Sequence, residues 1–190
     1  CYVTDNGDLI QYQQGLKIIQ KKLVSVIANL AHFAKKYSKI PCLGYTHLQE
    51  AQPTTIGKRL TLWLQDFCND YCKLRDFQLP FLGIKGATGT QSAILELFQF
   101  NESSVKKCDR EIADSFGFTN LLTVSGQTYP RKIDTQICFL LSEIAMSSSK
   151  FATDLRLLSH MKEYQEPLAE EQIGSSAMPY KQNPIYAERI

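Results

Sequence analysis

Apolar residues recur every three or four positions along four stretches of this chain, and each repeat predicts an amphipathic helix. Leu16, Ile19, Leu23, Ile27, Leu30 and Phe33 form one stripe, with Lys17, Lys21, Lys22 and Lys35 off it. That helix is expected to start near Asp5 to Asp8 and to end before Pro41. Leu60, Trp63, Leu64, Phe67, Tyr71 and Leu74 form a second, entered through Pro53-Thr54-Thr55, where a threonine can cap the first turn, and ended by Pro80 and Gly83. A third runs from about Glu102 to Phe116 and is closed by Gly117. The fourth is the longest. Ile133, Ile137, Leu140, Ile144, Ser148, Phe151, Leu155 and Leu158 make one stripe over about 26 residues, roughly 39 Å of helix. No alternation of apolar and polar residues is strong enough to argue for a sheet. The pattern therefore predicts an all-α fold, an elongated bundle of long helices with polar loops at the helix ends. Val24 and Val26 on the first helix, and Leu141 and Ala145 on the fourth, add apolar surface beside the main stripe. A helix apolar on more than one side is buried on more than one side, which in a chain this short predicts a homo-oligomer.

Composition narrows the class of function. With 190 residues, 44% of them hydrophobic and 21% charged, the chain can bury a sizeable core. Its 21 Lys and Arg against 19 Asp and Glu leave a net charge of +2, no footprint for nucleic acid or for an acidic membrane surface. No apolar run approaches the roughly 18 residues of a membrane-spanning helix. The six cysteines show no metal-ligand spacing, so no metal is expected, and they read as buried, reduced thiols of a cytoplasmic protein. A chain that opens on Cys1 and stops at Ile190 inside an apparent helix reads as an internal piece of a longer protein.

Four polar stretches separate or follow the helices: 44–55, 83–91, 125–131 and 163–184. The last ends Gly174-Ser175-Ser176-Ala177-Met178-Pro179-Tyr180-Lys181-Gln182-Asn183-Pro184. Asn183-Pro184 is a good helix start, with Asn as cap and Pro at the first helical position. Lys181 and the serine pair then stand beside the positive end of a helix dipole, an arrangement that attracts a carboxylate or phosphate. Arg189 could add a bidentate contact. Of the three histidines, His32 and His160 fall within helices and read as surface or packing residues. His47 lies in a polar loop beside Thr46 and Gln49, where a group that titrates near neutrality can serve as acid or base. Lys85 and Thr88 have the composition of an anion-binding turn, and a purely structural role fits them as well.

The string from Gly174 to Pro184 resembles the signature of the fumarase/aspartase superfamily, and Thr46-His47-Leu48-Gln49-Glu50-Ala51-Gln52 resembles a second segment of it, with Glu50 where many relatives place Pro. Within the superfamily, Tyr180, the run Gly126 to Lys132, the run Lys85 to Thr90 and the opening Cys1 to Asn6 look most like the adenylosuccinate lyase family of the animal type. The resemblance implies a central helical domain without its N- and C-terminal domains. It implies a lyase that needs no cofactor and acts on a succinylated purine nucleotide by anti-elimination of fumarate. It also implies Ser175 as the base and His47 as the acid, with Lys181 and Asn183 on the succinyl carboxylate. Thr46, Gln127, Ser176 and Arg189 become substrate-binding positions. Finally, it implies a homotetramer in which each site draws segments from different subunits. A related lyase such as argininosuccinate lyase, or a non-catalytic structural or oligomerisation module, remains an alternative.

Overall fold

The computed structural model describes residues 1–167, 175, 177–178 and 180–190. The chain is built on three long helices. α1 spans Tyr2–Lys36, α2 Ile56–Asp76 and α5 Lys132–His160. Shorter helices are α3 (Ser92–Leu97), α4 (Glu102–Ser115) and α6 (Ile185–Arg189). Between α1 and α2 the chain makes an antiparallel hairpin of β1 (Pro41–Thr46) and β2 (Gln49–Thr55).

Each of the four predicted helices is present. The stripe of α5 turns Ile133, Ile137, Leu155 and Leu158 inward, as its spacing requires. Thr55 caps α2 by accepting the Lys58 N–H at 3.1 Å, and Gly117 follows α4 in the left-handed conformation (φ +75°). Boundaries move in two places. α1 begins at Tyr2, ahead of Asp5, and α2 stops at Asp76, because Phe77 is already extended (φ −69°, ψ 121°) and Phe81 beyond it pairs with Leu121 as an isolated parallel bridge.

The hairpin corrects the expectation that no sheet would form. Its strands lie along the bundle's end with exposed or half-buried residues on both faces, so no period-2 pattern is written into them. Its two-residue turn is His47-Leu48, both at positive φ (54° and 58°), the backbone of a type I′ turn without the Asn-Gly pair that usually announces one.

Two apolar clusters divide the bundle lengthwise. Leu9 of α1 meets Phe81, Leu82, Ala113, Phe118, Tyr129, Ile133 and Ile137 near the start of α5. Toward the other end, Leu23 and Leu30 pack on Trp63, Phe67, Ala152, Leu155, Leu158 and Ala187. Trp63 stacks edge-on against Phe151 with centroids 5.1 Å apart, and its indole N–H donates to Asp154 at 2.7 Å. All six cysteines are free, as expected, but none is fully buried, against expectation. Val24, Val26 and Leu141 do lie on exposed helix surface, as their off-stripe positions imply.

Candidate active site

The two ends of the bundle carry different parts of the predicted chemistry. At the end where α1 and α5 begin, the first turn of α1 fastens two loops. Asp5, nearly fully buried, accepts the Tyr129 N–H at 3.0 Å and the Arg131 guanidinium at 3.2 Å. Asn6 bonds Gly83 reciprocally, donating to its carbonyl at 2.8 Å and accepting its N–H at 3.1 Å. The two loops also abut, since a Cβ added at Gly89 would lie 2.1 Å from the Ser125 carbonyl oxygen. Gln127 is exposed on the second loop, between Ser125 and the buried Tyr129. The Tyr129 hydroxyl donates to Asp134 at 2.7 Å, and burial first, then that bond, pushes its pKa well up.

Lys85, on the neighbouring loop, resolves toward the structural reading. It is only 5% exposed and pairs with Asp109 at 3.3 Å, while Asp109 also accepts the Ile84 N–H and the Gln91 side chain. A cation so engaged is not available to an outside anion. Thr88 hydrogen-bonds the Thr90 hydroxyl.

At the opposite end, the hairpin presents Thr46 and His47, both exposed. His47 lines a groove of about 490 Å³ with Tyr45, Lys58, Arg59, Asp154 and Met161 among its walls. Neither Gln127 nor the described residues of the C-terminal loop line that groove. A histidine and a leucine held in left-handed backbone cost about 1–2 kcal/mol each, and such strain persists only where the surroundings hold it. Glu163, three residues past α5, bonds the hairpin from outside it. It accepts the Tyr45 hydroxyl at 2.5 Å and the Arg59 guanidinium at 2.8 Å, and Arg59 in turn donates to the Leu43 carbonyl at 2.6 Å. Strand pairing is irregular between Leu43 and Tyr45, so these bonds grip the hairpin where its ladder is broken. Burial pushes the Glu163 carboxyl up, but Tyr45 and Arg59 outweigh it and hold the group below the ordinary carboxylate range. The same bond raises the Tyr45 hydroxyl above its usual value.

The C-terminal segment brings a second correction. The expected cap, Asn183, does not cap α6. Pro184 stands at the cap position, no side chain of the cap residue bonds back, and the Asn183 carbonyl accepts the Ile185 N–H at 2.9 Å. The helix start is closed instead by Glu166, which accepts the Tyr186 and Ala187 N–H groups, each at 2.9 Å. Pro184 has no N–H to need a partner, and a carboxylate from twenty residues upstream satisfies the amides that follow. The positive end of this helix therefore already holds a carboxylate of the chain itself. One consequence is that Glu166 ties together the two ends of the loop containing Ser175. Ser175 is half-buried there, Lys181 is exposed with its N–H bonded to the Met178 carbonyl at 2.8 Å, Asn183 is half-buried and Arg189 is exposed. Ser176 lies outside the described residues.

His32 and His160 are exposed on helices, as expected. Sequence reasoning missed Glu163, Glu166 and Arg59. Their partners lie between 16 and 118 residues away, and no local spacing signals such a contact. Among the described residues, no group of His, Cys, Asp or Glu has the makings of a metal site, and no helix is long and apolar enough to cross a membrane.

A family model described as Lyase matches residues 7–190. Adenylosuccinate lyase from Saccharomyces cerevisiae is 47% identical over the whole of this chain, and adenylosuccinate lyase from Schistosoma mansoni 45%; in each case the match covers 40% of the relative. The chain thus spans about two-fifths of the length of the curated relatives it matches. Among solved structures, the 3-carboxy-cis,cis-muconate lactonizing enzyme of Pseudomonas putida superposes with a TM-score of 0.79 at 26% identity, covering 98% of this chain and 41% of that one.

Proposed function

This chain belongs to the lyase family, and we propose that the full-length protein is a C–N lyase of purine nucleotide biosynthesis. It splits fumarate from adenylosuccinate to leave AMP, and from the succinylated imidazole-carboxamide ribotide to leave the free carboxamide. The observation that carries this reading is the similarity, along the whole chain, to enzymes named for the first of those substrates.

Ser175 takes the proton from the carbon beta to the leaving nitrogen. Charge builds on the adjacent carboxylate, which Lys181 and Asn183 hold and offset electrostatically. His47 gives a proton to the departing nitrogen, the step that turns a poor leaving group into a neutral amine. Thr46, Gln127, Ser176 and Arg189 bind the rest of the substrate. A serine hydroxyl is a weak base unless its alkoxide is stabilised, so the loop has to close over substrate before chemistry. The chemistry needs no cofactor.

Geometry supports building each site from several subunits. Gln127 stands in the loop that leads into α5, ahead of Lys132, and His47 shares a groove with Leu157, Leu158 and Met161 at its end. Between them lie 29 helical residues, about 43 Å at the usual rise. A succinylated nucleotide does not bridge that distance, which supports assigning Gln127 and His47 of one chain to different sites, as in the homotetramer that the family resemblance implies. The exposed Val24, Val26 and Leu141 supply apolar surface for that assembly. Free thiols fit the reducing cytoplasm.

Substituting the two proton-transfer groups in the full-length enzyme tests the assignment. Ser175→Ala and His47→Gln should each lower kcat by about 10²–10⁴-fold with binding nearly intact. Turnover of either variant at the wild-type rate would refute that residue's role.

A further inference from the structure

We propose that Glu163 is a positioning residue for the reaction: through Tyr45 and Arg59 it fixes the hairpin that carries His47, and so sets where the acid stands. The inference rests on the lyase reading above and extends it to a residue outside the signature segments.

Three observations converge on Glu163. The hairpin cannot hold its own tip. No residue of its strands is fully buried, its ladder is irregular between Leu43 and Tyr45, and its turn places His47 and Leu48 in strained left-handed backbone. A two-stranded ribbon of this kind is marginal in water without outside support. Glu163 supplies that support from a separate element, with one carboxylate oxygen on the Tyr45 hydroxyl and the other on Arg59. Tyr45 is two residues from His47, so the anchor acts with only Thr46 between it and the turn. Arg59 stands in the first turn of α2, and its second nitrogen holds the Leu43 carbonyl on the far side of the irregularity. The pair is shielded, with Arg59 and Glu163 side chains 16% and 23% exposed, so solvent screens it less than an open surface bridge.

Glu163 also stands three residues before Glu166, the carboxylate that closes the Ser175 loop onto α6. One short, described stretch therefore anchors the hairpin of the proposed acid and the base of the loop of the proposed base. A shift of about 1 Å in a catalytic group can cost two orders of magnitude in rate, and a hairpin released at Tyr45 has that freedom.

The test is a double-mutant cycle in the full-length enzyme, with kcat and KM measured for wild type, Glu163→Ala, His47→Gln and the combination. Glu163→Ala should lower kcat by about 10–100-fold while KM changes by less than about 3-fold. Glu163→Gln, which keeps an acceptor for Tyr45 but loses the charge facing Arg59, should fall between it and wild type. In the His47→Gln background, Glu163→Ala should cost nothing further, because its effect runs through His47. Tyr45→Phe, which removes one hydroxyl, gives the same non-additive pattern at smaller size should Glu163→Ala fail to fold. Losses that add in the cycle, or a Glu163→Ala kcat within about 2-fold of wild type, would overturn the positioning role while leaving the lyase assignment intact. A wild-type rate in His47→Gln would instead overturn the acid role beneath it.

Discussion

Leu48 occupies a backbone region that suits asparagine or glycine, yet its side chain is 64% exposed and packs little. Leu48→Gly should therefore raise stability by about 1 kcal/mol, read as a higher denaturation midpoint of the full-length protein. His47 lies in the same strained turn but bears the proposed proton, so relief of strain there comes at the expense of turnover. That contrast separates a residue tolerated in the turn from one retained for its chemistry. His47 was legible from the sequence as the histidine in a polar loop. The strain of its turn was not, because positive φ at a His-Leu pair has no compositional mark.

At the scale of elements, the segment that closes α6 is held by one buried carboxylate on two backbone amides. Glu166→Ala leaves those amides unpaired in a site where Glu166 itself is 7% exposed, and should cost about 1–3 kcal/mol. The α2–α5 contact carries a destabilising group. The Asp70 carboxyl is pushed up chiefly by burial, with Glu143 adding to the effect and a Ser147 hydrogen bond opposing it. One of its oxygens has no hydrogen-bond partner among the described residues. The folded state therefore holds this proton more tightly than the unfolded chain, and stability falls as pH rises from the ordinary carboxylate range through the raised folded value. Asp70→Asn should accordingly raise Tm at pH 7, with the gain shrinking as pH is lowered toward 4; a gain that grew in acid would contradict the assignment.

The same elements show what sequence could and could not tell. α5 was readable because its stripe, Ile133 to Leu158, runs through nearly all of its 29 residues, and the Thr55 cap because a capping side chain acts on its own neighbours. The hairpin was not, since neither strand buries one face. The Asn183 cap was misjudged for a related reason: Asn-Pro favours a helix start locally, but Glu166 reaches it from a distance and takes the amides.

For the whole molecule, the proposal of a shared site turns on the length of α5. A site that uses both Gln127 and His47 has to draw them from different chains. Two inactive variants, Gln127→Ala and His47→Gln, should therefore regain measurable activity when unfolded together and reassembled, because some mixed sites receive an intact residue from each parent. Absence of any recovery from mixed assemblies that do form would place both residues at one site, against the 29-residue separation.

Fumarate release by the full-length protein, followed with adenylosuccinate and with argininosuccinate as parallel substrates, tests the central claim most directly. Fumarate and AMP appearing one for one from adenylosuccinate, with none from argininosuccinate and none in Ser175→Ala, is the predicted result. Turnover of argininosuccinate alone, or of neither substrate by a correctly assembled enzyme, would contradict it.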